Sequence, residues 1–351
     1  MSKKVLITGI LGQDGANMAE YLLENTDNLI YGMQRRSGSP NFQNIKSFIA
    51  HDRFSLVDGD LTDSVSINDL VLKIQPDYLI NFGANSFVGV SWDTPLSVFD
   101  INACGVIRCL EAIKKHQPDC RFYSAGSSEE LGDVDYSPQD LKHPIKPRSP
   151  YGASKAAARH LVKVYRESYN LYAVHSILFN HEGPRRGAEF VTRKITKKVA
   201  EIFHKIKANQ KFEPLQLGNI DSRRDWSDSR DFMRGVWLML NQDRPKDYVL
   251  ASGETHSVKD FVSKAFSSAG IPGLWSGEGL SAKFRLFQEN TVMAEISEKW
   301  FRPAEVDLLH GDSTEAEKEL GWKREISFEQ MIDDMVKCDL ALYAKEAKED
   351  K

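Results

Sequence analysis

The sequence has few cysteines and no excess of basic charge. Its 351 residues include only four cysteines, none in a C-x-x-C spacing, at positions Cys104, Cys109, Cys120 and Cys338. This scarcity argues against a disulfide framework or a structural metal site, and we expect no metal. Because 46 Lys and Arg are set against 50 Asp and Glu, the net charge is −4. Non-specific nucleic-acid-binding proteins normally carry a basic excess, so we also expect no nucleic-acid partner.

Long apolar runs are missing as well. The first apolar run, at residues 5–7, is far shorter than the core of a signal peptide or a membrane span. We therefore expect a cytoplasmic protein with no membrane partner. Hydrophobic residues make up 41% and charged residues 27% of the chain, which is typical of a globular protein and not of a disordered or coiled-coil chain.

The first half of the chain alternates short apolar runs with helical segments. Six runs are predicted to be strands: 4–8, 29–33, 54–57, 78–82, 121–125 and 173–178. Segments with a helical pattern lie between them, including 64–74 and 103–115. This alternation predicts an α/β fold, a Rossmann-type doubly wound parallel sheet with helices on both faces.

The alternation ends near residue 180. We predict a dinucleotide-binding Rossmann domain at residues 1–180 that includes the helix after residue 150. Residues 181–340 are expected to form a smaller α+β substrate domain, with a strand or helix returning to the first sheet. The Lys- and Glu-rich residues 341–351 are interpreted as a solvated tail.

The turn after the first predicted strand is rich in glycine. Gly9, Gly12 and Gly15 follow one another in a G-x-x-G-x-x-G spacing. Glycines at such a turn allow the backbone to approach a pyrophosphate at the N-terminus of the next helix. Because the turn follows an apolar run and opens a helix, the spacing favours dinucleotide binding over a purely structural turn.

The end of the second predicted strand indicates which cofactor is bound. In a dinucleotide fold an acidic residue there binds the ribose of NAD, whereas arginine accommodates the 2′-phosphate of NADP. This chain has Arg35 and Arg36 there and no carboxylate. The pair favours NADP, although a solvated basic loop would have the same sequence.

A tyrosine and a lysine lie four residues apart after the fifth predicted strand. Tyr151 and Lys155 would share one helix face, and the lysine is expected to lower the pKa of the phenol so that it can act as a base. The spacing alone is common. It gains weight from its position downstream of Ser127 and Glu129, which follow the strand directly.

Taken together, the glycine turn, the Tyr151–Lys155 pair and Ser127 resemble the extended short-chain dehydrogenase/reductase family. Within that family, residues 4 to about 340 resemble the GDP-mannose 4,6-dehydratases. The closer resemblance is carried by four segments, 8–15, 180–194, 218–226 and 301–306.

The resemblance implies a lyase that converts GDP-α-D-mannose to GDP-4-dehydro-6-deoxy-D-mannose and water by internal hydride transfer through bound NADP. Tyr151 would take the proton from the mannosyl O4, and Lys155 would lower the pKa of Tyr151 and bind the nicotinamide ribose. Glu129 would remove the C5 proton and, with Ser127, assist the loss of water from C6.

The resemblance also implies that the protein is a homodimer or homotetramer. In addition, it implies which residues bind the cofactor and which bind the GDP-sugar. The cofactor would contact Gly9, Gly12, Gln13, Asp14, Gly15, Arg35, Arg36, Asp60, Leu61, Gly83, Ala84, Ser86, Tyr151, Lys155, His181 and Arg186. The GDP-sugar would contact Ser86, Asn180, Val191, Lys194, Arg224, Arg302 and Glu305.

Three departures leave alternatives open. Phe87 and Leu131 stand where this family usually has histidine and tyrosine, so a related GDP-sugar could be the substrate. Glu130 adds a second carboxylate beside Glu129, and residues 126–130 also resemble the NADPH-dependent GDP-4-dehydro-6-deoxymannose reductases. A non-catalytic nucleotide-binding relative is disfavoured, because binding alone does not require this set of reactive side chains.

Overall fold

The computed structural model describes residues 2–287, 289–300, 306 and 308–349. Its strands are β1 (Lys4–Thr8), β2 (Leu29–Gln34), β3 (Phe54–Asp58), β4 (Tyr78–Asn81), β5 (Arg121–Ala125), β6 (Ala173–Leu178), β7 (Asn180–Glu182), β8 (Leu215–Leu217), β9 (Arg223–Arg224), β10 (Trp226–Asp228), β11 (Tyr248–Leu250), β12 (His256–Ser257), β13 (Gly273–Ser276), β14 (Lys283–Leu286), β15 (Val292–Ile296) and β16 (Leu308–Leu309). Its helices are α1 (Gln13–Asn25), α2 (Ser64–Ile74), α3 (Pro95–Phe99), α4 (Gly105–His116), α5 (Pro150–Tyr169), α6 (Val191–Lys207), α7 (Ser229–Leu240), α8 (Val258–Ser268), α9 (Thr314–Leu320) and α10 (Phe328–Glu349).

A seven-stranded parallel sheet forms the centre of the molecule, with the order β11-β6-β5-β4-β1-β2-β3. This confirms the predicted doubly wound α/β class. The six predicted strands are all present, and their ends differ from the prediction by at most one residue. They were recognisable because parallel strands covered on both faces are nearly continuous apolar runs. The seventh strand, β11, comes from the second half of the chain and pairs with β6.

The glycine turn brings the chain close to the neighbouring strand. Gly9 has a φ of +69°, in the left-handed region that favours glycine. A Cβ atom at Gly9 would lie 2.7 Å from the backbone nitrogen of Gly83, so this position has no room for a side chain. Helix α1 begins four residues later, at Gln13, with its N-terminus at the carboxyl edge of the sheet.

Of the two helices predicted in the first half, one has the predicted bounds and the other does not. Helix α2 has the predicted bounds. Helix α4 begins two residues later than predicted, because the chain first forms a π-helical turn at Asp100–Cys104 that continues from α3. Asn102 in this turn donates to Ser154 Oγ of α5 (3.0 Å), which ties the turn to α5.

The second half forms three smaller sheets and a separate apolar core. A four-stranded sheet has the order β13-β14-β15-β8, and α6, α8 and α10 pack together beside it. Helix α10 continues to Glu349 and so passes residue 341, where the sequence predicted a tail. The reason is that alanine, leucine, lysine and glutamate favour helices, and Tyr343 also stacks on His204 with ring centres 5.2 Å apart. No helix within the described ranges is both long and apolar enough to span a membrane.

Candidate active site

A cleft runs along the carboxyl edge of the central sheet, where open α/β sheets bind their ligands. One part of it is a cavity of about 780 Å³ between the sheet and the second half of the chain. An adjoining cavity of about 550 Å³ lies beyond β1, β2 and β4.

Most of the predicted site residues line this cleft. The larger cavity is lined by Gly9, Gly12, Gln13, Asp14, Gly15, Ala84, Ser86, Ser127, Glu129, Tyr151, Lys155, Asn180, His181, Arg186, Val191, Lys194 and Arg224. The adjoining cavity adds Arg35, Asp60, Leu61 and Gly83. Arg36 lines neither cavity, although it follows Arg35 on the same exposed loop. The predicted ligand contacts Arg302 and Glu305 lie outside the described residues.

The N-terminus of α5 presents Tyr151 to the cavity. The helix starts here because Ser149 Oγ accepts a hydrogen bond from the Gly152 N–H (3.0 Å) and Pro150 occupies the first turn. Tyr151 is 7% exposed and makes a hydrogen bond with the Ser127 side chain. The predicted tyrosine and serine are therefore in contact.

Lys155 lies one turn further along α5, below Tyr151. Its ammonium donates to the Ala125 carbonyl oxygen at 2.7 Å, and burial lowers its pKa to about 8. We expected Lys155 to lower the pKa of Tyr151, but burial of the phenol raises that pKa, and the hydrogen bond with Ser127 offsets only part of the effect. The physical reason is that the ammonium is turned toward Ala125 and lies 5.9 Å from the centre of the tyrosine ring.

The two adjacent carboxylates occupy different environments. Glu129 is partly exposed and lines the larger cavity. Glu130 is 0% exposed, and its Oε1 lies 2.9 Å from His175 Nε2 on β6. Glu129 is thus the carboxylate that can meet a ligand, and Glu130 belongs to the interior beneath the turn.

An ion pair joins the N-terminus of α1 to the segment after β6. His181 Nε2 lies 2.9 Å from Asp14 Oδ2, and the hydroxyl of Ser229 donates to Asp14 Oδ1 at 2.8 Å. Burial alone would raise the pKa of Asp14, but the charge of His181 and its hydrogen bond outweigh burial and hold that pKa below its usual range. Burial likewise opposes the charged form of His181, and Asp14 more than compensates, so the pKa of His181 is raised.

The second half of the chain supplies the opposite wall. Lys194 on α6 places its ammonium 3.4 Å from the centre of the Trp300 ring. Partial burial, together with the charge of Lys299, lowers the pKa of Lys194 to about 8. A cation held at the mouth of the cavity, with an aromatic ring beside it, is suited to an anionic nucleotide.

Several aromatic residues that line the cavity were not predicted as ligand contacts, among them Phe87, Phe190 and Trp300. Phe87 and Phe190 are packed edge to face with ring centres 5.9 Å apart, and the Arg186 guanidinium lies 3.6 Å from the centre of the Phe190 ring. Trp300 also lines the cavity, beside Lys194. Phe190 lies within the segment 180–194 that carried the resemblance, and Trp300 directly precedes the segment 301–306, so the sequence did offer a signal for both.

Comparison with known proteins shows which family the chain resembles. The family model for GDP-mannose 4,6 dehydratase matches residues 6–335. The GDP-mannose 4,6 dehydratase of Drosophila melanogaster is 41% identical over 351 residues, covering 98% of this chain and 87% of the relative. The GDP-mannose 4,6-dehydratase of Sinorhizobium fredii (strain HH103) is 43% identical over 348 residues, covering 97% of each chain.

A solved structure shares the fold at lower sequence identity. It is the dTDP-glucose 4,6-dehydratase DesIV of Streptomyces venezuelae, with NAD and TYD bound, with a TM-score of 0.81 and 20% identity over 98% of each chain. The likeness extends over the central sheet and the second half alike, because nearly the whole chain is covered. From the match of the family model and from the two relatives above 40% identity, the chain belongs to the GDP-mannose 4,6-dehydratase family.

Proposed function

We propose that this protein converts GDP-mannose to GDP-4-dehydro-6-deoxymannose and water, with NADP as a bound cofactor that is regenerated in each cycle. The observation that carries the proposal is that Ser127, Glu129, Tyr151 and Lys155 converge on one cavity, which continues to Lys194 and Arg224. A simple dehydrogenase needs the tyrosine and lysine, whereas elimination of water needs a further base.

The residues present fit a dinucleotide. The turn has glycine at positions 9, 12 and 15, which allows the backbone to approach a pyrophosphate, and no side chain caps the N-terminus of α1. Arg35 lines the adjoining cavity and suits a 2′-phosphate, which supports NADP over NAD. A bound nicotinamide would supply the hydride acceptor and donor that the internal redox cycle requires.

The first chemical task of the chain is to move the proton of the sugar O4. Tyr151 faces the cavity beside Ser127, so its oxygen can take up this proton while Ser127 holds the phenol by a hydrogen bond. Lys155 would hold the ribose next to the nicotinamide, since it lies one helical turn from Tyr151 along the cavity wall. The Ala125 carbonyl orients the ammonium.

The second task is the elimination itself. A keto group at C4 acidifies the proton at C5, and Glu129 is the carboxylate that lines the cavity and can remove it. The same carboxyl can then protonate the C6 hydroxyl as it leaves, with Ser127 donating a hydrogen bond. Lys194 and Arg224 hold the nucleotide, so that binding energy fixes the position of the sugar.

The test is turnover of GDP-mannose by purified protein with NADP at a small fraction of the substrate concentration. We expect product that has lost one water, with no net change in nicotinamide absorbance. If the protein consumes NADPH only with a 4-keto GDP-sugar and leaves GDP-mannose unchanged, it is a reductase and the proposal is wrong. Related GDP-hexoses run in parallel determine whether Phe87 alters the choice of sugar.

A further inference from the structure

A buried pair of ionisable residues lies directly beneath the catalytic turn. Glu130 and His175 are both 0% exposed, and Glu130 Oε1 lies 2.9 Å from His175 Nε2. Neither residue lines the cavity. Burial of two such groups costs several kcal/mol unless their contacts compensate, so the pair requires an explanation.

The pair is bonded to the turn that carries Ser127. The same oxygen, Glu130 Oε1, accepts the Ser127 N–H at 2.8 Å, and Ser127 Oγ in turn accepts the Glu129 N–H at 3.3 Å. Since Oε1 is an acceptor for Ser127, we assign the donor in the second contact to His175 Nε2. Two donors from two parts of the chain therefore converge on one carboxylate oxygen.

The backbone at Gly126 packs directly against the pair. A Cβ atom on Gly126 would lie 2.2 Å from His175 Nε2 and 2.5 Å from Glu130 Oε1, so a side chain there would displace the pair. Of the remaining polar atoms, neither Glu130 Oε2 nor His175 Nδ1 has a hydrogen-bond partner among the described residues. Among the described residues, the side-chain hydrogen bonds of the pair are therefore those of Glu130 Oε1 with the Ser127 N–H and with His175 Nε2.

The carboxylate of Glu130 also acts electrostatically on the active site. Its charge favours the ammonium of Lys155 against the effect of burial, and it disfavours ionisation of Tyr151. The other charged or titratable groups that face these residues are Asp14 for Lys155, Glu129 and Arg186 for Tyr151, and Tyr123 for Glu130 itself.

We propose that Glu130 and His175 are positioning residues for the reaction: His175 holds Glu130, and Glu130 fixes the Ser127–Glu129 turn without touching the substrate. The kinetic part of this inference rests on the proposed function. The effect of the Glu130 charge on Lys155 does not depend on the proposed function, because Lys155 can be titrated without turnover.

The test uses Glu130→Gln, which keeps an oxygen for the Ser127 N–H and removes the charge. A neutral amide oxygen makes weaker hydrogen bonds than a carboxylate and so holds the turn less firmly. We therefore expect kcat to fall about 10- to 100-fold, the scale on which small misplacements reduce enzymatic rates, with an unchanged KM for GDP-mannose. In lysine-selective NMR, the Lys155 midpoint near pH 8 should move to lower pH. His175→Gln is a second variant that leaves the carboxylate in place, and the double variant should be no slower than Glu130→Gln, because the residues act as a unit.

Asp260→Asn is the matched control. Asp260 lies outside the cavity, at the start of α8. Its Oδ2 accepts the Ser257 N–H at 2.9 Å, just as Glu130 Oε1 accepts the Ser127 N–H. This variant should leave kcat and the Lys155 midpoint unchanged. Equal losses in Asp260→Asn, or an unchanged kcat and midpoint in Glu130→Gln, would overturn the proposal. If the wild-type protein itself fails to dehydrate GDP-mannose, the proposed function is wrong, and the Lys155 midpoint alone decides the role of the pair.

Discussion

His181 and Asp14 form an ion pair with 2.9 Å between Nε2 and Oδ2, and it joins the first helix to a segment more than 160 residues further along the chain. His181 Nδ1 also lies 2.7 Å from the Phe179 carbonyl oxygen, so both ring nitrogens are engaged. The pair therefore fastens the N-terminal turn of α1 to the wall of the cleft where the two halves of the chain meet.

This ion pair should make stability depend on pH in two directions. The pKa of His181 is raised above 6.5, so its contribution is fully present below pH 6.5 and is lost as pH rises through the raised value. The pKa of Asp14 is lowered below 3.8, so its contribution is present above pH 3.8 and is lost as pH falls through the lowered value. At pH values between the lowered pKa of Asp14 and the raised pKa of His181, the His181→Gln substitution should reduce the free energy of unfolding by about 2 kcal/mol.

Urea unfolding at a series of pH values measures this effect. The deficit of His181→Gln relative to the wild type should shrink as the pH rises above neutrality. His116→Gln serves as the control, because the His116 ring lies 3.2 Å from the Asn68 amide oxygen and forms no ion pair with any residue that the structure describes. A deficit that stays constant from pH 5 to pH 9 would contradict the assignment of the charged pair.

The central sheet and the polar residues at its edge could be predicted from the sequence because local patterns encode them. Continuous apolar runs marked β1 to β6, and the G-x-x-G-x-x-G spacing marked the turn before α1. The family and the dehydratase activity were predicted from resemblance, and the family match confirms them. A strand or helix returning to the sheet was expected from the second half, but β11 could not be located, because three residues, Tyr248–Leu250, carry too little pattern to identify a strand.

Contacts between distant residues could not be predicted in this way. The raised pKa of Tyr151 depends on its burial, which only the folded chain determines. The pairing of Glu130 with His175 joins β6 to the turn after β5, 45 residues apart, and nothing in the local sequence of either residue indicates it. Glu130 looked in the sequence like an alternative base, and the structure places it outside the cavity.

We predict that the two arginines after β2 contribute unequally to NADP binding. Arg35 lines the cleft and Arg36 does not, so Arg35→Ala should weaken NADP binding by about 1–3 kcal/mol, the range for hydrogen bonds to a charged group. Arg36→Ala should have a smaller effect. Titration with NADP and NAD measures both, and NAD affinity is the internal control because it lacks the 2′-phosphate. Equal wild-type affinity for the two cofactors would refute the NADP assignment.

We predict a homodimer formed through α3 and α5, the helix that carries Tyr151. Leu96 on α3 is 86% exposed and Val164 on α5 is 51% exposed, and these two helices contact each other. Leu96→Asp and Val164→Asp should each shift the protein toward a monomer of 39.7 kDa, because an interface cannot bury an unpaired carboxylate cheaply. Light scattering reports the mass. The control is Leu72→Asp on α2, because Leu72 is also more than half exposed and this variant should stay dimeric. A wild-type protein that is a monomer would disprove the prediction.

The final prediction separates elimination from hydride transfer. Glu129 lines the cavity beside Tyr151, and Gln at this position keeps the size of the side chain but cannot accept a proton. Glu129→Gln should therefore slow dehydration by about 10²- to 10⁴-fold, the usual contribution of a general acid–base group. Affinity for the GDP-sugar should hardly change, because Lys194 and Arg224 lie on the opposite wall.

Tyr151→Phe is the matched comparison, because it removes only the phenolic oxygen. Without that oxygen the O4 proton has no acceptor, so a single turnover should show no reduced nicotinamide. Glu129→Gln should instead form reduced nicotinamide while failing to exchange the C5 proton with deuterated solvent. Both readouts come from one stopped-flow and mass-spectrometry experiment. If Glu129→Gln eliminates water at the wild-type rate, the C5 base must be sought elsewhere; the buried Glu130 could act only after the turn above it had opened.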